Sequence, residues 1–353
     1  MSTAYLAFDL HANTTTFGWM DAEGTYRDEN TFDTFASRMI RHVAEVPANK
    51  TVCTVEEGPL AGWAARTLHE HVDKLLVCDP RENDSISDAI HKGDGPDTYQ
   101  LCRLLRLGEL KAVYHPKDDR RAFFKTTARN YLDLRDRVRA TKQKITAAFQ
   151  RWGVFKIEGV DRYSQNGCTR YLEELPEQAI RIQQERRYRM LDAFSEAKAE
   201  ARQDLLQQGA RYPEIEEFQA VPGMGPIRSH VFDAFIQTPH RFPSKSKLWR
   251  YCRLGIKKQS SGGKQAGPEQ LDARGVGELK NVSYQAWNTV VNISKEPNEV
   301  RTFYERSCER SRNPTSARLN TQRKILATLW DLWKRRSPYD PELFLSSSSA
   351  SSR

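Results

Sequence analysis

The first 110 residues alternate short apolar or β-branched segments with segments of helical periodicity, and this order constrains the fold more than any other feature of the chain. Residues 4–10, 15–20 and 25–32 have the length and composition of strands, and the turn Asp21–Gly24 separates the last two. Helices are then predicted at 34–46, 60–71, 85–91 and 97–107, with strands between them at 51–55 and 75–78. A three-strand meander followed by alternating helices and strands predicts an α/β domain.

This element order is that of an RNase-H-like domain, which we place at residues 1–112. A chain of 353 residues is too long for one ordinary core, so further domains are expected. We predict a basic helical or coiled-coil connector over 113–212, a mainly helical domain over 213–340 and a disordered, serine-rich tail over 341–353. The predicted fold class is therefore α/β plus α.

The charge balance indicates a polyanionic partner. Lys and Arg number 55 against 46 Asp and Glu, a formal net charge of +9. Nucleic acid is the first candidate partner and an acidic membrane surface the second, while a merely basic soluble protein is the alternative. No apolar run approaches the roughly 18–20 residues that span a bilayer, so no spanning segment is expected, and of the two candidates we predict nucleic acid and no membrane partner. The six cysteines include no CxxC pair, which favours a reducing compartment, and we expect a cytoplasmic protein associated with the nucleoid.

Residues 117–151 carry eleven Lys or Arg and four Asp, with apolar side chains at helical intervals. The pattern predicts a long helix with one apolar stripe and one basic face. Its candidate nucleic-acid contacts are Arg121, Lys125, Arg129, Arg139 and Lys142. A second charged helix, at 169–208, either protrudes and pairs, within the chain or between subunits, or packs on its own domain as a solvated helix.

Four acidic residues form a candidate metal site. Asp9 and Glu56 end predicted strands, and Asp94 and Asp97 stand three apart at a helix start. Their oxygens suit two Mg²⁺ ions, which at about 4 Å apart stabilise both reacting oxygens in phosphoryl transfer. Each acid taken alone is more often a helix cap or a surface residue. Glu57 competes with Glu56, but neighbouring strand residues face opposite sides, and we favour Glu56.

Two further motifs lie in the C-terminal half. Val221-Pro-Gly-Met-Gly-Pro226 joins two apolar helices in a helix-hairpin-helix-like turn. The backbone N–H groups around Gly223 and Gly225 can hold a DNA phosphate, and the alternative is a tight turn that uses glycine for positive φ.

The second motif is Gln259-Ser-Ser-Gly-Gly-Lys264, followed by Arg274-Gly275. Such a loop can bind phosphate through Lys264 and Arg274 or present a nucleophilic hydroxyl beside a cation, and a flexible loop is the alternative. The spacing does not fit a P-loop.

Together these segments resemble one family, the DEDD insertion-sequence transposases of the IS-one-ten type, which are related to pilin-gene invertases. The resemblance covers about residues 4 to 290. The segments that carry it, in family order, are Ala7-Phe-Asp-Leu-His11, Val55-Glu-Glu-Gly58, Lys92-Gly-Asp-Gly-Pro-Asp97, Val221-Pro-Gly-Met-Gly-Pro226, Ser261-Gly-Gly-Lys264 and Arg274-Gly275.

The resemblance implies a RuvC-like N-terminal domain, a connector that helps dimerisation and a C-terminal transposase domain with a catalytic serine. By motif, Asp9, Glu56, Asp94 and Asp97 would hold two Mg²⁺ or Mn²⁺ ions, and Ser261 would form a phosphoserine link to DNA. This chain departs from the family pattern in three ways: Pro96 precedes Asp97, Thr98 replaces the family's Ala, and Ser260 stands beside Ser261, which leaves the nucleophile open between the two serines.

The implied partners are donor and target DNA, a guide non-coding RNA called the bridge RNA, and further copies of the chain in a dimer or tetramer. Two other functions stay open from the sequence. One is a junction resolvase or nuclease that uses metal ions only, and the other is a nucleic-acid-binding protein without catalysis.

Overall fold

The computed structural model describes residues 2–80, 97–116, 119–257, 260–261, 264–265, 270–294, 296–311 and 313–346. The chain divides into two compact units, residues 1–119 and 120–353. The predicted helix at 85–91 and the candidate ligand Asp94 lie outside the described residues.

The described elements of the N-terminal unit follow the predicted order, with one additional short strand, Ala112–Val113, that the sequence did not predict. Its strands and helices are β1 (Thr3–Leu10), β2 (Thr14–Met20), β3 (Tyr26–Asp33), α1 (Ala36–Ala44), β4 (Lys50–Glu56), α2 (Ala61–Leu68), β5 (Lys74–Cys78), α3 (Asp97–Leu107) and β6 (Ala112–Val113). The strands form one mixed sheet in the order β3-β2-β1-β4-β5-β6. The meander strands are antiparallel, whereas β1, β4 and β5 run parallel to one another.

Helices cover both faces of this sheet. Phe8 and Val55 lie on one face, in a buried cluster with Met39 of α1 and Leu68 of α2. Ala7 lies on the opposite face, in a cluster with Cys102 of α3. Successive strand residues point to opposite faces, so a central strand that is apolar on both sides is buried on both sides. This alternation fixes which face each strand-end carboxylate occupies.

The second unit opens with the predicted long basic helix, α4 (Asp119–Arg151). The charged stretch that follows is two helices, α5 (Gln165–Glu173) and α6 (Gln178–Gly209), and not the single helix expected over 169–208. Pro176 falls in the break, and proline disfavours the helical conformation of the residue before it. Val138 and Phe149 of α4 share a buried cluster with Tyr188 of α6, so these helices pack together within one chain.

The remaining elements build a mainly helical core. They are α7 (Glu214–Gln219), α8 (Pro226–Ile236), a 3₁₀ turn (Pro239–Arg241), α9 (Lys245–Tyr251), β7 (Ile256–Lys257), β8 (Ser260–Ser261), β9 (Lys264–Gln265), β10 (Gln270–Leu271), α10 (Gly277–Asn288), a π turn (Thr289–Ile293), α11 (Glu299–Ser311), α12 (Pro314–Arg335) and α13 (Pro341–Ser346). Residues 341–346 were expected in the disordered tail. They form a helix because Phe344 is buried, with its ring 5.8 Å from that of Phe303. Across the described ranges, no helix is both long enough and apolar enough to cross a membrane.

Candidate functional site

Two of the predicted metal ligands lie side by side at the carboxyl ends of adjacent parallel strands. Phe8 of β1 pairs in register with Val55 of β4, so Asp9 and Glu56 are the next residues along the two strands. Phe8 and Val55 belong to the face covered by α1 and α2, which puts Asp9 and Glu56 on the face covered by α3. The Asp9 side chain is 30% exposed, and so a bound ion can reach it.

The structure separates Glu56 from its neighbour Glu57. The Glu57 carboxylate lies 2.5 Å from Nε2 of His115, and its backbone N–H donates to the carbonyl of Cys78. His115 lines a hollow together with Ala65, Arg66 and His69 from α2 and the residues after it, on the face away from α3. Glu57 is thus held on the other side of the sheet from Asp9, which supports Glu56 as the ligand.

Helix α3 packs on the face of the sheet that carries Asp9 and Glu56. Cys102 contacts the carbonyl of Gly18 at 3.4 Å, and Gly18 pairs with Ala7 two residues before Asp9. Later in the helix, Arg106 contacts the carbonyl of Ala22 beyond the opposite end of β2. At the start of the helix, the Thr98 hydroxyl lies 2.7 Å from that of Tyr26 in β3, and the structure does not gather the exposed Asp97 with Asp9 and Glu56 into one group of described ligands.

The described carboxylates do not by themselves form a closed metal cluster. Among the residues that the structure describes, no group of three or more His, Cys, Asp or Glu side chains could hold a metal ion. Asp9 and Glu56 nevertheless supply two oxygen donors on one face at adjacent strand ends, the donor type that Mg²⁺ prefers. A magnesium site here therefore requires further ligands besides this pair.

One contact of the site was missed in the sequence analysis. Nε2 of His11 lies 3.1 Å from Oδ2 of Asp9, and the His11 side chain is 70% exposed. The available signal was its spacing, because residues two apart in extended backbone face the same side. This contact orients the Asp9 carboxylate.

The turn at 221–226 connects α7 to α8 as predicted, and its two glycines differ. Gly223 has a φ of +86°, and a Cβ there would lie 2.4 Å from the carbonyl oxygen of Ala286 in α10. Gly225 precedes α8 with a φ of −74°, and a Cβ there would meet no atom within 4 Å. The positive φ and the close packing against Ala286 are enough to require glycine at position 223. The space beside Gly225 is open, so a ligand can reach it.

We expect Gly223→Ala to lower the free energy of unfolding by more than about 1 kcal/mol, because both the positive φ and the Ala286 contact oppose a side chain. Gly225→Ala is the matched control and should change it by less than about 0.5 kcal/mol. Chemical denaturation of both variants measures this difference. Equal losses would contradict the distinction between the two glycines.

The backbone around the candidate nucleophile forms a small hairpin. Strands β8 and β9 are antiparallel, and Ser261 pairs in register with Lys264. The flanking β7 and β10 make a second two-stranded ladder. The motif therefore belongs to a hairpin insertion between α9 and α10.

The Asp272 carboxylate pairs with two arginines, Arg250 and Arg274, in the chain segments that flank this hairpin. This carboxylate accepts from Nε of Arg250 at 2.9 Å and from the backbone N–H and Nε of Arg274 at 3.0 and 3.3 Å. The hydrogen bond from the Arg274 backbone is the largest of the contacts that hold the pKa of Asp272 below its ordinary value. Arg274 is still half exposed, so its guanidinium is fixed in place yet accessible.

Helix α4 places its candidate nucleic-acid contacts in two environments. Arg139 is 69% exposed with Asp136 at 3.4 Å, and Lys142 lies over the Tyr163 ring at 4.5 Å. Both line a groove of about 540 Å³ that also includes Arg135. Nearer the start of the helix, Lys125 and Arg129 each lie 5.9 Å from the Phe235 ring.

Arg121 is different, because its guanidinium faces the protein interior. It contacts the carboxylates of Glu214, at 2.5 Å, and Asp233, and it stacks 3.8 Å over the ring of Tyr212. Only 17% of its side chain is exposed. A buried guanidinium that pairs with two carboxylates stabilises the fold and is not available to bind nucleic acid. We therefore remove Arg121 from the predicted nucleic-acid surface.

Comparison with known proteins connects the second unit to DNA transposition enzymes. Residues 215–305 match the family model described as "Transposase IS116/IS110/IS902 family". The match supports a transposase function. It runs from α7 into α11 and includes the turn at 221–226, the serine hairpin and Arg274. No curated protein matches the chain.

Proposed function

We propose that this chain is an insertion-sequence transposase that cleaves and rejoins DNA strands with a Mg²⁺-binding carboxylate site and a serine nucleophile. The observation that carries the proposal is the transposase family match over residues 215–305, the segment that contains the serine hairpin. The paired strand ends of Asp9 and Glu56 supply the second support. An RNase-H-like, RuvC-like identity for the N-terminal unit is part of the proposal, since its mixed sheet has the element order expected of that fold.

In the proposed reaction, Oγ of Ser261 attacks a DNA phosphorus atom. An O–P bond to the serine forms, the P–O bond to one sugar breaks, the hydroxyl proton is released and the departing sugar oxygen is protonated. The phosphoserine ester conserves the energy of the phosphodiester, so a second strand's hydroxyl can displace the serine without a further energy source. When bound, Mg²⁺ supplies Lewis-acid stabilisation of charge on the phosphate oxygens, and Asp9, Glu56, Asp94 and Asp97 are its proposed ligands.

The proposed partners are donor DNA, target DNA and a guide RNA of the bridge type. The groove on α4 with Arg139 and Lys142, together with Lys125 and Arg129, supplies cations for a phosphate backbone. Gly225, Lys264 and Arg274 are further proposed DNA contacts in the C-terminal unit. A dimer or tetramer is proposed because recombination handles two duplexes at once.

Trapping of a covalent intermediate tests the proposal. Wild-type protein, labelled junction DNA, the guide RNA and Mg²⁺ should yield a protein–DNA adduct that survives denaturation. The adduct should disappear with Ser261→Ala and persist with the adjacent control Ser260→Ala, and mass spectrometry of the adduct peptide identifies the serine. Strand transfer undiminished in the double serine variant would refute the serine mechanism, and Mg²⁺-dependent cleavage without any adduct would establish the metal-only nuclease instead.

A further inference from the structure

A cationic cleft of about 510 Å³ lies along the contact between α10 and α12 in the C-terminal unit. Its polar lining consists of Lys280, Asn281, Tyr284, Thr315, Arg318 and Gln322, and Gly277 also lines it. Two of these side chains are cationic, and none of the described residues that line the α10–α12 cleft is acidic. Neither cation was singled out from the sequence, and Arg318 lies beyond the segment that matches the transposase family.

The Arg318 guanidinium lies against two aromatic rings. It is 5.8 Å from the ring centroids of both Tyr284 and Trp287. Within the described ranges it makes no ion pair, and its Nε is buried without a hydrogen-bond partner. Arg121 and Arg250, in contrast, each contact carboxylates. An anion stabilises a partly desolvated cation, so Arg318 and Lys280 together suit an anionic ligand.

The other polar groups of the cleft also suit an anion. Gly277 is the first residue of the 12-residue helix α10, whose first-turn N–H groups have no partners within the helix. Lys280, one turn later, adds an ammonium group, while Asn281 and Thr315 add neutral donors. Leu271 of β10 and Leu319 of α12 add apolar residues to the lining, and β10 follows the segment that carries the serine hairpin.

We propose that the α10–α12 cleft binds a backbone phosphate of the DNA strand, with Arg318 and Lys280 as its cations. This inference rests on the proposed function, because it takes DNA as the substrate. Contacts to phosphate position a strand without reading its bases. The cleft is therefore a sequence-independent anchor for DNA in the unit that carries the serine hairpin.

Salt-dependent DNA binding tests the anchor. Fluorescence anisotropy with a junction duplex and a scrambled duplex should show weaker binding for Arg318→Gln and for Lys280→Gln, by equal factors on both duplexes. Each variant should make the slope of log affinity against log salt shallower by about one, so between roughly 50 and 200 mM NaCl the wild type should lose about three to four times more affinity than the variant. Arg335→Gln is the matched control, since Arg335 lies on the same helix, is 65% exposed and pairs with Asp331.

The outcomes separate the cleft from the proposed function. Absence of DNA binding by the wild type would refute the proposed function. Wild-type binding with an unchanged slope in both cleft variants would overturn the cleft assignment alone. Weaker binding of an RNA hairpin by both variants, with DNA binding unchanged, would also overturn the assignment of the cleft to DNA. Lys280→Gln keeps the test decisive if Arg318→Gln fails to fold, and Arg318→Lys, which keeps the charge, should restore the slope.

Discussion

Replacement of Asp9 by Asn is expected to lower the rate of Mg²⁺-dependent strand cleavage by about 10³-fold or more, a loss of at least about 4 kcal/mol of transition-state stabilisation. Asn keeps the shape of the side chain but removes the charge that attracts a divalent cation. Glu56→Gln should have a loss of the same order, because Glu56 lies beside Asp9 at the same end and on the same face of the sheet. Single-turnover cleavage of junction DNA measures both effects.

Glu57→Gln is the matched control for this prediction. It makes the same chemical change one residue away, on a side chain that contacts His115 on the opposite face. Titration calorimetry with Mn²⁺ gives a readout independent of catalysis, and binding should weaken in the Asp9 and Glu56 variants but persist in the Glu57 variant. Loss of Mn²⁺ binding in Glu57→Gln alone would show that the metal lies on the other face. Normal activity in all three variants would leave the chain as a nucleic-acid binder or a metal-independent enzyme.

Local patterns were sufficient to predict much of the architecture. The first five strands of the N-terminal sheet and the helix α4 follow from periodicity within a few residues, which is why their bounds agree closely with the prediction, whereas the two-residue strand β6 is too short to show a pattern. The alternation of side chains along a strand likewise predicted that Glu56 and Glu57 face opposite sides of the sheet, and the contact of Glu57 with His115 agrees with that separation. The helix α13 was not predicted, because the burial of Phe344 depends on Phe303 and the preceding sequence offers no periodic stretch to indicate it.

Charge counting could not distinguish a surface cation from a buried one. Arg121 and Arg139 occupy the same basic helix and share the same residue type, yet only Arg139 is exposed. The carboxylates that bind Arg121 lie 93 and 112 residues later in the chain, at Glu214 and Asp233. Similarly, Arg318 and Lys280 belong to helices whose separate sequences show no shared motif. Sites built by packing between distant helices are beyond the reach of short-range patterns.

The burial of Arg121 predicts a large effect on stability. Arg121→Ala should lower the free energy of unfolding by about 3–5 kcal/mol, because it leaves two carboxylates in the protein interior without their cationic partner. Asp233 is fully buried, and burial already raises the pKa of its carboxyl group, opposed by the charge of Arg121. Urea unfolding followed by tryptophan fluorescence measures the loss, and Trp333, whose ring lies 5.3 Å from the guanidinium, reports on the site directly.

Arg139→Ala is the matched control on the same helix, and as an exposed pair with Asp136 it should change stability by less than about 1 kcal/mol. When nucleic-acid binding is measured under conditions where both variants are folded, Arg139→Ala should bind more weakly than the wild type. Arg121→Ala should bind about as tightly as the wild type. Asp233→Asn should be milder than Arg121→Ala, because it removes one carboxylate and leaves Arg121 paired with Glu214. A fully stable Arg121→Ala that binds DNA poorly would instead return Arg121 to the nucleic-acid surface.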